Sequence, residues 1–168
     1  MRPVLDQNQT DSEHIDMTEQ EVARAAAQLA DSVQLEDVVF FELSGRRLED
    51  QETTEPGDLG LSGEFPMEIK IGQSDDLGRL IIRLVADVSS PHARFRVDVG
   101  AQYRLEEPAE VAPEVRIAFA NQGPLATLIP FLRESLISTA ARLKVPAPLV
   151  PLVRLQDLTA SDSPLVGE

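Results

Sequence analysis

Two histidines, His14 and His92, and four adjacent carboxylate pairs are the residues whose types could hold a metal or move a proton. The pairs are Glu36/Asp37, Glu49/Asp50, Asp75/Asp76 and Glu106/Glu107. Acid catalysis by a carboxyl needs a desolvated surrounding that raises its pKa. All four pairs fall in polar stretches at the ends of strands or in loops. The histidines stand 78 residues apart, there is no cysteine, and His14-Ile15-Asp16 is not a metal-ligand spacing. Both read as surface histidines. No Gly-x-Ser-x-Gly elbow and no His-Glu-x-x-His is present. Gly57, Gly60 and Gly63 lie in an acidic stretch without the Gly-Lys-Ser/Thr end of a phosphate loop. The expectation is a chain with no catalytic residue, no metal site and no cofactor, and not an enzyme.

Composition narrows the partners. At 168 residues the chain is expected to form one domain with loose ends. Hydrophobic residues make up 42% and aromatics only 4%, so the core must come from Leu, Val, Ile and Ala. The net charge is −14, and residues 1–64 carry 16 acidic against 4 basic residues. Such a chain repels nucleic-acid phosphate and anionic lipid, whose binding needs clustered Lys and Arg. The acidic front half reads as a solubilising leader or as a docking surface for a basic partner. No apolar run approaches a membrane span, and MRPVLDQNQT lacks the apolar region of a secretory signal. The cytoplasm is the expected location.

The elements follow from periodicity. Residues 1–17 have no period and read as a disordered acidic tail. Thr18-Glu19-Gln20-Glu21 is a capping box, and Val22, Ala26, Leu29 and Val33 then recur at helical spacing, predicting a helix over 19–31. From Val33 the period becomes two. One face of this strand carries Val33, Leu35, Val39, Phe41 and Leu43; the other carries Gln34, Glu36, Val38, Phe40 and Glu42. An acidic, glycine-rich loop spans 46–64. Three further strands are predicted: around Met67, Ile69 and Ile71; from Leu80 to Val88; and from Phe95 to Leu105. Ser74-Asp75-Asp76 and Ser89-Ser90-Pro91 mark the turns, so the strands form an antiparallel meander. After a short apolar segment, Val115 to Ala120, the main helix is written by Leu125, Leu128, Leu132, Leu136, Ala140 and Leu143. Pro130 should kink it or restart it, and Pro146, Pro148 and Pro151 end it. The class is α+β: a four-stranded antiparallel sheet, a long C-terminal helix packed on it, and an extra N-terminal helix. One helix layer covers one face of a sheet. The other face is left to solvent or to another copy, and Val38, Phe40, Ile81 and Val85 are the candidates for a subunit or client surface there.

The run NQGPLATLIPFLRESLISTAARLKVPAPLVPLVRL, residues 121–155, resembles the closing segment of SecB-family chaperones. The likeness rests on Ile129-Pro130-Phe131-Leu132-Arg133-Glu134 and on Arg142 followed by Pro146, Pro148 and Pro151. With the strand order it covers residues 33–155, and residues 28–43 resemble the helix-then-strand start of SecB-like chaperones from toxin–antitoxin–chaperone systems. The resemblance implies a homotetramer, a dimer of dimers, that binds unfolded proteins, preproteins or an antitoxin in apolar grooves without ATP. It adds Phe131 and Leu132 to the candidate surface. It also implies docking of the export motor SecA through Glu36, Asp37 and Glu42, whose spacing departs from the family pattern. The expected domain spans residues 18–155, followed by a flexible tail over 156–168. Two other readings stay open: a module that holds one partner permanently, and a small-ligand-binding α+β domain.

Overall fold

The computed structural model describes residues 17–49 and 65–150, and the backbone of residues 159–162. Helix α1 spans Glu19–Ser32, strand β1 Val33–Arg47, β2 Met67–Gln73, β3 Arg79–Ser89 and β4 Ala93–Leu105. Helices α2, Pro113–Gln122, and α3, Pro124–Leu143, follow, and β5 covers Thr159–Asp162. The expected glycine-rich loop lies, from residue 50 to 64, outside the described residues.

The capping box starts α1 as the sequence requires. Thr18 N donates to Glu21 Oε2 at 2.8 Å, and Glu21 N donates to Thr18 Oγ1 at 3.4 Å. The Thr18 N–H, and then the Thr18 hydroxyl, which donates to the same carboxylate oxygen at 2.8 Å, hold the Glu21 carboxyl below its ordinary range. Only Ala26 and Leu29 of α1 are buried, and the helix packs on α2 rather than on the sheet. Helix α3 runs through Pro130 rather than restarting there. The ring has no N–H to give the carbonyl of Ala126, and Ala126 is exposed, so water can replace the missing donor. Leu125, Leu128, Leu132 and Leu136 are fully buried, each contributing about 1.5–3 kcal/mol of burial. Lys144 closes the helix in the left-handed region, its N–H donating to Ala140 and Ala141, and Pro146 follows.

The sheet order is β1-β4-β3-β2-β5. The four long strands are antiparallel, as expected. Their helix-side face is apolar: Ile69 and Ile71 of β2, Leu80, Ile82 and Leu84 of β3, and Phe95, Val97 and Val99 of β4 are nearly inaccessible. Tyr103 meets Phe119 of α2 edge to face, with ring centroids 5.3 Å apart. Burial raises the Tyr103 hydroxyl pKa, a shift partly offset by its bond to Thr127. At the far end of the sheet α3 lies so close to β1 that a Cβ at Gly45 would overlap Thr139 Cγ2.

Two features depart from the sequence reading. Residues 159–162 lie in the stretch expected to be a flexible tail, yet they form a strand parallel to β2, pairing Glu68 with Thr159 and Ile71 with Asp162. A four-residue strand without apolar alternation leaves no period to read. The second departure is in β1, where the register shifts between Leu35 and Asp37 and again between Phe40 and Glu42. Each shift inserts an extra residue and inverts which side chains face the helices.

Candidate functional site

Strand β1 is an edge strand. It pairs with β4 on one side, and no described strand pairs with it on the other. Such an edge presents unpaired N–H and C=O groups to any incoming strand. The bulges decide which side chains flank it. Directly opposed residues in an antiparallel pair share a face. Val33, Leu35, Val38, Phe40 and Leu43 stand opposite Leu105, Tyr103, Ala101, Val99 and Val97, which all belong to the helix-side core. Val39 stands opposite Gly100 and Glu42 opposite Asp98, on the outer face. Val38 and Phe40 are therefore on the helix side, not the opposite side that strict alternation from Val33 assigns. The apolar quartet Val38-Val39-Phe40-Phe41 was the signal: four in a row cannot alternate, and a bulge resolves the conflict.

Helix α3 covers this row incompletely. Leu35 is 43% exposed, Phe40 39% and Leu43 47%. Phe131 and Ile137 on α3 are exposed too. Leu35, Phe40 and Leu43 thus stand exposed on the strand whose outer edge no described strand pairs. The remaining candidates divide. Phe131 is exposed, but Leu132, next to it, is fully buried in the core. Helical geometry turns adjacent residues about 100° apart, so both cannot serve one surface. Val85 faces outward from β3 yet is only 3% exposed, beside the buried Asp98. Ile81 is half-buried on the same outer face. Leu35, Leu43 and Ile137 are the exposed residues that periodicity missed, because alternation marks an apolar face without saying what covers it.

The outer face is a lattice of ion pairs. Arg79 Nε donates to Glu36 Oε2 at 2.8 Å, and Arg104 lies 3.6 Å from the same carboxylate. Arg96 Nε donates to Glu42 Oε2 at 2.6 Å and also pairs with Asp87. Glu42 first, and then Asp87, hold the Arg96 guanidinium above its ordinary pKa. Arg83 Nε donates to Asp98 Oδ1 at 2.9 Å. Its guanidinium sits 4.0 Å from the centre of the Phe41 ring. The second bulge turns Phe41 to this outer face, where its ring covers Gly100 so closely that a Cβ there would lie 2.8 Å from Phe41 Cε2. The acidic docking candidates are thus engaged within the chain: Glu36 with two arginines, Glu42 with one, and Asp37 with the N–H of Val38.

Of the carboxylate pairs, Asp75/Asp76 sits in the β2–β3 turn. Asp76 accepts from Ser74 Oγ and Gly78 N in the β2–β3 turn, which hold it below its ordinary range. His92 is exposed in the β3–β4 turn. Among the described residues no three His, Cys, Asp or Glu side chains cluster as metal ligands. Among the same residues no helix is long and apolar enough to cross a membrane. His14 and Glu49/Asp50 lie outside or at the limit of the described residues. A cleft between α1 and α2 is lined by Met17, Val22, Ala23, Glu114 and Ala118.

No protein-family model matches the chain. It is similar to the SecB-like chaperone SmegB of Mycolicibacterium smegmatis, with 23% identity over 138 residues, 81% of this chain and 86% of that protein. Its fold is that of a SecB-like chaperone from Mycobacterium tuberculosis, solved in complex with a ChAD peptide from the HigA1 antitoxin. The TM-score is 0.63 at 16% identity, covering 80% of this chain and 97% of that one.

Proposed function

We propose that this SecB-like fold serves as a holding chaperone, which keeps an antitoxin or other unfolded polypeptides from collapsing by binding their apolar stretches without ATP. The observation that carries the reading is the row of exposed apolar side chains on the helix side of β1, Leu35, Phe40 and Leu43. The likeness to two SecB-like chaperones, one of them bound to an antitoxin peptide, supports it. Wide, shallow apolar contacts suit a client of variable sequence. The reading includes a cytoplasmic, non-enzymatic homotetramer in which β1 edges and the exposed side of α3 meet between copies, with residues 18–155 as its domain. SecA is left out of it, because Glu36 and Glu42 already neutralise arginines of the same sheet.

Light-scattering mass at low micromolar concentration is the first test, followed by aggregation of an unrelated heat-unfolded enzyme. A mass near four times 18.4 kDa and suppressed aggregation are expected. A monomer that leaves aggregation unchanged overturns the reading. A tetramer that protects one partner and no other protein makes the chain a dedicated module instead.

A further inference from the structure

The other edge of the sheet is occupied by the chain itself. Strand β5 lies parallel to β2 over four residues, with Ala160 in register with Ile69 and Asp162 in register with Ile71. In-register residues of a parallel pair share a face, and Ile69 and Ile71 are 1% and 2% exposed on the core side. The positions beside them are therefore the ones where an aliphatic residue would bury most. This chain places Ala and Asp there. Thr-Ala-Ser-Asp is also poor in strand-forming residues, apart from its threonine. A short parallel pairing adds little more. The edge thus accepts an extended segment in a defined direction and register, while its resident is a poor match for it.

Resting on the chaperone reading, we propose that the β2 edge is a second client site. It takes an extended segment with aliphatic residues at alternate positions, parallel to β2, and β5 is the internal competitor such a segment displaces. The register fixes what is recognised: aliphatic side chains beside Ile69 and Ile71, and small or polar ones beside Glu68 and Lys70, which pair with each other at 3.7 Å. Specificity would come from the alternation, and affinity from backbone hydrogen bonds that any sequence can make.

The test uses the full chain and a fluorescein-labelled peptide of alternating valine and serine, read by anisotropy. Ala160→Pro with Ser161→Pro removes both neighbouring donors, one of which must belong to the parallel ladder. This variant should bind the peptide about tenfold more tightly, the scale of one lost competing contact. Ala160→Val with Asp162→Val makes the resident strand a better match and should weaken binding by about the same factor. The bound peptide should also slow hydrogen exchange of the amides of β2. Equal affinity in all three chains, or protection of β1 amides alone, overturns the second site while leaving the chaperone reading intact. No peptide binding by any of them, with no suppression of aggregation, overturns both.

Discussion

Replacing Phe40 by serine should weaken self-association far more than it weakens the fold. Phe40 is 39% exposed. A phenylalanine presents about 200 Å², so about 80 Å² of ring is available to a second copy. In a two-fold interface each substitution counts twice, giving about 160 Å² and, at 25 cal/mol per Å², about 4 kcal/mol. Incomplete burial lowers this to about 2–4 kcal/mol, a rise in dimer Kd of about thirty- to a thousandfold. Sedimentation velocity over a dilution series measures it, with far-UV circular dichroism to show that the fold survives. Phe41→Ser is the control. Phe41 is 43% exposed but faces outward against Arg83, so its loss should cost about 1 kcal/mol of folding stability and leave the Kd within about twofold, roughly the 0.5 kcal/mol level at which additivity holds. Equal effects of the two substitutions, or an unchanged mass for Phe40→Ser, would refute the assignment of faces and the interface built on it.

Asp98→Ala should destabilise by about 2–3 kcal/mol in urea titration, because it leaves the partly buried Arg83 guanidinium without its carboxylate; adding Arg83→Met should restore part of the loss. Gly45→Ala should cost about 1–3 kcal/mol through overlap with Thr139, and Thr139→Ala in the same chain should recover most of it, measured as Tm. Stability should fall in acid: Glu21 and Asp76 are held below their ordinary values. The stability they give is present above their unfolded pKa near 4 and is lost as pH drops through the lower folded values. In Glu21→Gln and Asp76→Asn chains the acid slope of the melting temperature should be shallower. Tyr103 works in the opposite sense. Its folded pKa is raised, so its contribution is present below about pH 10 and lost as pH climbs beyond, a loss that Tyr103→Phe should abolish.

Local chemistry made much of the fold legible. Thr18 and Glu21 announced a helix start, the alternation from Phe95 to Leu105 announced a central strand, and four leucines at helical spacing announced α3. These signals are properties of single elements. Which apolar residues stay exposed depends on relations between elements, which one strand cannot encode. Phe40 and Val38 changed face because a bulge at Glu36 shifts the phase by one residue, and period counting assumes no shift. Leu35 and Leu43 carry the same alternation as core residues, yet they stay 43% and 47% exposed. Leu132 and Phe131 are neighbours in one motif, yet the helix sends one to the core and the other outward.

Strand β5 also sets how many neighbours a sheet of this kind can have. Among the described residues β1 keeps an unpaired edge and β2 is covered by β5, so in the proposed assembly each sheet would have a valence of one. Two copies joined edge to edge would use both of these edges, and growth along the sheet would stop there. A sheet open at both sides would extend without limit into a fibre. On that reading the four residues of β5 would act as a chain terminator, and a client that replaced them would have to terminate the sheet in their stead.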